Sequence, residues 1–218
     1  ISVANPQNKT IALFGSSSWN GAGVRTLKKS LTDIKQPFLE NTLEVSGVTT
    51  LPKQISHCKL HLQGKGNVYG VSLETPTGVI VDNVPMRGCS GTIFSRIDNT
   101  MLHEYFTQTN TRLIILQYGG NMIPYTNSKS SINAYVRNLR TQIRYIRSCA
   151  PEASILFVGP SDMATRIDGK LKTYPMVPYL DKQLRLLAEE EHIGYWSIYE
   201  AMGGYNSMVT WKEKGLAG

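Results

Sequence analysis

Hydrophobic positions along this chain change their period near residue 76. Before it, short runs alternate apolar with polar residues and are broken by Gly, Pro, Asn and Ser. In His57-Cys58-Lys59-Leu60-His61-Leu62, the Cys and both Leu fall on one face and the two His and Lys on the other, the period-two pattern of a half-buried strand. Residues 64–67 read as a turn and 68–73 as a further strand. Ile11-Ala12-Leu13-Phe14 precedes a polar, Gly-containing turn region over 15–23, and only residues 24–36 carry a weak helical pattern. Residues 1–76 are therefore expected to form a β-sandwich-like segment with one wet face.

After residue 76 the pattern is that of alternating strands and helices. Val79-Ile80-Val81 predicts a short buried strand, and Ile93, Ile97, Met101, Leu102, Tyr105 and Phe106 recur at the spacing of an amphipathic helix. The continuous apolar run 113–116 suits a parallel strand covered on both faces. A second helix follows on Ile132, Tyr135, Val136, Leu139, Ile143 and Ile146, ended by Pro151. Then come a strand over 155–158, a helix marked by Leu180, Leu184 and Leu187, and a strand over 195–198. This order predicts an α/β domain with a parallel sheet and right-handed crossovers. Such sheets bind ligands beyond the carboxyl ends of their strands, so segments 82–91, 117–125, 159–168 and 199–204 are where chemistry is sought.

Composition narrows the picture. The formal charge of +7 is spread along the 218 residues without a five-residue basic block, which argues against a nucleic-acid partner. Every apolar run falls far short of the roughly 20 residues of a membrane span. Cys58, Cys89 and Cys149 are an odd number with no C-x-x-C, so no disulfide framework is expected. The chain begins at Ile1 and not at Met, which reads as a processed or cut chain. His57 and His61 would need a third ligand that the sequence does not offer, so neither a metal nor another cofactor is expected.

The loop Pro85-Met86-Arg87-Gly88-Cys89-Ser90-Gly91 has two reasonable uses. Its glycines let a backbone N–H approach a ligand as an oxyanion donor must, or the loop is a strand-to-helix turn with Ser90 or Thr92 as helix cap. Gly-Cys-Ser-Gly is not a Gly-x-Ser-x-Gly elbow, and no His stands near Cys89 in the sequence to activate it. Gln117-Tyr118-Gly119-Gly120-Asn121 ends the next strand, where the Asn121 carboxamide either donates into a site or closes a turn. Asp162 and Asp168 are placed as capping or turn residues ahead of a cleft-lining role, and 174–179 as packing at a helix start ahead of a substrate rim. His103 falls on the polar side of its helix. His192 follows Glu189-Glu190-Glu191 at a helix end, where a cation complements the dipole, and Glu189-x-x-His192 is a chance spacing.

Gly88 after one strand and Gly119-Gly120-Asn121 after the next resemble the second and third sequence blocks of the SGNH/GDSL hydrolases. Three longer runs, 82–91, Val158-Gly159-Pro160-Ser161-Asp162-Met163 and Tyr199-Glu200-Ala201-Met202-Gly203-Gly204, resemble secreted GDSL-like hydrolases of Bacteroides-type bacteria. The resemblance covers about residues 68–218. It implies a three-layer α/β/α domain over 77–218, with 1–76 similar to a jelly-roll-like β-sandwich inserted between the first block and the rest, in a carbohydrate-binding role. It implies an extracytoplasmic serine esterase that removes acetyl or another small acyl group from a carbohydrate. Gly88 and Asn121 would be its oxyanion-hole donors.

The chain departs from that family at both catalytic ends. No Gly-Asp-Ser is present, and none of the six aspartates has a His three places later. The nucleophilic Ser and the Asp/His pair are thus expected to be absent from this chain, leaving the isolated 218 residues inactive. Phe14-Gly15-Ser16-Ser17-Ser18 bears a faint likeness to a first block with Ser17 as nucleophile. It is set aside here as turn composition, because no clear crossover helix joins it to Gly88. A non-catalytic carbohydrate-binding or scaffold module is the alternative function.

Overall fold

The structure, a computed structural model, describes residues 10–15 and 78–217. Five parallel strands form one sheet in the order β2-β1-β3-β4-β7: β1 Thr10–Gly15, β2 Ile80–Pro85, β3 Thr111–Gln117, β4 Ser154–Val158 and β7 Gly194–Trp196. Helices α1 (Asn99–Gln108), α2 (Lys129–Cys149) and α3 (Val177–Glu190) make the crossovers from β2 to β3, β3 to β4 and β4 to β7. These three connections all advance the same way across the sheet. With right-handed crossovers they lie on one face, and α2 packs against both α1 and α3. The core between this layer and the sheet holds Ile114 and Leu116 of β3, Phe157 of β4, and Ile132, Leu139, Ile143 and Ile146 of α2.

The expected period switch at residue 76 does not mark the edge of the α/β unit. β1 lies inside segment 1–76, yet it is the second strand of the sheet, with Gly15 opposite Pro85 on β2 and Gln117 on β3. It belongs to the same compact unit as residues 78–217. Its four-residue apolar core reads equally as a sandwich strand or a parallel one, and only its partners decide. The strands and weak helix expected over 24–73 lie outside the described residues.

Val79 and Val81, expected to be buried, are exposed beside buried Ile80, because β2 is an edge strand of the described sheet. Two further elements differ from expectation. The first helix does not run from Ile93. A 3-10 turn, Phe94–Arg96, ends at an extended Ile97, and α1 begins after Asp98, whose side chain accepts from the Met101 N–H at 3.0 Å. Asp98 is a good N-cap, and the cap outcompetes the continuous apolar spacing. The second difference is an antiparallel hairpin, β5 (Ala164–Ile167) with β6 (Lys170–Thr173), in a stretch read as loop. Its turn is Asp168-Gly169, both at positive φ, which is the signature dipeptide of a type I′ hairpin turn. β7 stops at Trp196 because Ser197 caps the short helix α4, Ile198–Ala201, accepting from the Glu200 N–H. A last helix, α5, spans Ser207–Glu213. Among the described residues no helix is long and apolar enough to cross a membrane.

A buried carboxylate joins α2 to the end of α3. Arg140, Arg144 and Arg147 stand on one face of α2, and all three reach Glu191, which is only 4% exposed. Arg144 is the strongest partner, with its Nη2 2.8 Å and its Nε 3.1 Å from Glu191 oxygens, and its hydrogen bonds hold the Glu191 carboxyl below the usual range. A depressed native pKa adds stability above the unfolded-state value of about 4.3, and this is lost as pH falls through the native value. Glu191→Gln should therefore be less stable than wild type at pH 7, and the two should converge at pH values well below about 4. Urea midpoints across that range test this; a difference that stays constant with pH would show that the charge is not the source.

Candidate active site

The loops at the carboxyl edge of the sheet are shaped by glycines at positive φ. Met86 accepts from the Cys89 N–H at 3.2 Å, closing a four-residue turn with Gly88 third at φ +72. That position of a type II turn needs a left-handed residue. A Cβ at Gly88 would meet nothing within 4 Å, so the backbone angle, not crowding, calls for glycine. Gly88 is exposed, and its amide donates to no acceptor among the described residues. Gly91 is different: a Cβ there would lie 2.6 Å from the ring of buried Tyr118. The loop is further pinned by Tyr135, whose hydroxyl donates to the Ser90 carbonyl at 2.7 Å, and by the Gly91 N–H donating to Cys89 Sγ at 3.2 Å. Neither Ser90 nor Thr92 caps a helix, so the expected turn forms without the expected cap.

After β3 the chain turns sharply at Gly119, φ +116, where a Cβ would come 3.1 Å from Pro160 of the loop after β4. The 3-10 turn Gly120–Tyr125 follows, with half-buried Asn121 in its first turn. Asn121 Nδ2 donates to the Cys89 carbonyl at 2.9 Å. This bond ties the β3 loop to the residue after Gly88. A carboxamide nitrogen carries two N–H groups, so one holds the two loops together and the second remains to donate elsewhere. Burial of the neighbouring Tyr118 hydroxyl raises its pKa, which keeps that group neutral at ordinary pH.

Other singled-out residues take structural places. Asp162 is fully buried; its Oδ2 accepts from the Met208 N–H at 2.9 Å and from Ser207 Oγ at 3.3 Å, so it caps α5. Asp168 sits in the hairpin turn. In 174–179, Val177 is fully buried and the Tyr179 hydroxyl donates to Asn133, which is packing at the start of α3. His103 Nδ1 lies 2.9 Å from the Cys149 carbonyl at the end of α2, and His192 follows α3 just before β7. Crossover helices return the chain to the amino edge of the sheet, so both histidines stand at the edge opposite Gly88 and Asn121. Cys89 Sγ takes the Gly91 N–H and has no base beside it among the hydrogen bonds described. Among the described residues no three metal-ligating side chains cluster. His57, His61, Cys58 and Ser16–Ser18 lie outside the described residues.

Asp162 and Asp168 thus take the capping and turn places expected of them. The hairpin itself was not expected, although Asp168-Gly169 signals it, and nothing local says which helix Asp162 caps.

No family model matches the chain, and no curated protein matches it. Among solved structures, it is similar to a peptidoglycan O-acetylesterase at 25% identity, over 63% of this chain and 39% of that one, with a TM-score of 0.55. It is also similar to an acetyl xylan esterase at 12% identity, over 94% of this chain and 83% of that one, with a TM-score of 0.51. The chain thus spans about two-fifths of the first structure's length, and the second likeness is one of fold.

Proposed function

We propose that this chain, which has the fold of the SGNH/GDSL hydrolases, belongs to a serine esterase that removes acetyl or another small acyl group from a carbohydrate outside the cytoplasm. The observation that carries this reading is the place of β1. Its last residue, Gly15, stands between Pro85 and Gln117. Ser17 is two residues further on and so within about 7 Å of Gly15 along the chain. The chain therefore leaves β1 between the strands that lead into the Gly88 loop and the Asn121 loop. On this reading Ser17, and not a serine outside the chain, is the nucleophile.

The chemistry follows from the donors. Ser17 Oγ attacks the ester carbonyl as a base takes its proton, and the carbonyl π pair moves onto oxygen. The Gly88 N–H and the second Asn121 N–H stabilise that oxyanion. Collapse expels the sugar oxygen, which takes the proton, and water then releases the acyl group from Ser17 by the same steps. His103 and His192 face the wrong edge to be the base, so the proton acceptor lies outside the described residues. The resemblance implies an Asp-x-x-His block for that role.

Labelling tests the assignment. The full-length protein treated with an alkyl fluorophosphonate is expected to gain one adduct, mapped by peptide mass to the segment holding Ser17 and blocked by excess p-nitrophenyl acetate. No adduct and no acetate release would leave the carbohydrate-binding module as the reading.

A further inference from the structure

The hairpin and α5 are fastened together beside the candidate site. Thr173 N–H donates to Asn206 Oδ1 at 3.0 Å, Asn206 N–H donates to Thr173 Oγ1 at 2.7 Å, and Asp162 caps α5 from the loop that leads into the hairpin. Met163, at the hairpin's base, borders the β3 loop: a Cβ on Gly120 would lie 3.8 Å from its Sδ. Between hairpin and helix runs a groove of about 560 Å³ lined by Arg166, Lys170, Leu171, Val209, Lys212 and Glu213. The groove is open, and its charged residues Arg166, Lys170, Lys212 and Glu213 are all exposed. Three cations face one carboxylate, and none of the four forms an ion pair among the described residues.

We infer that this groove is a subsite for the carboxylates of an acidic glycan, on the hairpin whose base borders the β3 loop. Leu171 and Val209 offer an apolar floor to sugar C–H faces, while Arg166, Lys170 and Lys212 offer charge-assisted donors to carboxylates. Single-stranded nucleic acid fits less well, because the lining includes no aromatic ring for a base to stack on. The first turn of α5 is no competing anion site, since Asp162 already takes the Met208 N–H. The groove's link to turnover rests on the esterase reading; its ligand preference does not.

Calorimetric titration of the full-length protein with a galacturonate hexamer and with xylohexaose tests the inference. The uronate is expected to bind, the neutral xylan oligomer to bind more weakly, and added salt to erode the difference. Lys170→Glu with Lys212→Glu is expected to weaken uronate binding by about ten-fold or more, with p-nitrophenyl acetate turnover unchanged. Equal binding of the two oligomers, undiminished uronate binding in the double variant, or tighter binding of an oligothymidylate that displaces the uronate would overturn it. If uronate binding behaves as expected while wild type turns over no ester, the groove stands and the esterase reading falls. Ester turnover without uronate preference gives the reverse.

Discussion

Ser17→Ala in the full-length protein is expected to lower kcat for p-nitrophenyl acetate by about 10⁴–10⁶-fold while leaving KM close to wild type. β1 is held on both sides by parallel neighbours, and its carboxyl end meets the ends of β2 and β3 at Pro85 and Gln117. The chain thus leaves β1 between the strands that lead into the Gly88 turn and the Asn121 turn. Ser16→Ala and Ser18→Ala are the controls, each expected to retain activity within about ten-fold because neither removes the attacking Oγ. Loss concentrated in either control would move the nucleophile. Full activity in all three would remove the serine mechanism.

Asn121→Ala should cost about 10²–10³ in kcat and little in KM, because an oxyanion exists only in the transition state. The same side chain also holds the Cys89 carbonyl at 2.9 Å, so truncation loosens the loop as well as removing a donor. The two effects separate experimentally. Losing one half-buried hydrogen bond costs about 1 kcal/mol of stability, visible as a small shift in the urea midpoint with the protein still folded at 25 °C. Loss of a transition-state donor appears in kcat at saturating substrate. A variant in which KM rises and kcat holds would make Asn121 a loop tie and not an oxyanion donor.

Much of the fold was legible along the chain because its signals are local. The apolar stripe of α2, from Ile132 to Ile146, is buried residue for residue as its period requires. The continuous run in β3 announces a parallel strand, with Ile114 and Leu116 buried and Leu113 and Ile115 half-buried, and the glycines at 88 and 119 announce backbone that turns through positive φ. The three-to-four spacing from Ile93 to Phe106 failed because a cap at Asp98 stops the helix whatever the apolar pattern beyond it.

The site was legible only in pieces. Gly88 and Asn121 were nameable as possible donors, but each also had a structural use as a turn residue. The bond from Asn121 to the Cys89 carbonyl spans 32 residues, and no local pattern encodes it. Asp162 was legible as a capping or turn residue, but not that the helix it caps begins 45 residues away. β1 is the sharpest case. A short apolar run bounded by turn residues states that a strand forms, but its pairing energy comes from β2 and β3, some 70 and 100 residues distant. Sequence by itself therefore determined the succession of β2, β3, β4 and β7 with their crossover helices and the apolar face of α2, because dihedral preference and burial period act within a few residues. Tertiary structure alone decided the order of the strands, and with it that Gly15, Pro85 and Gln117 end side by side, because sheet order is set by hydrogen bonds between segments that share no local pattern.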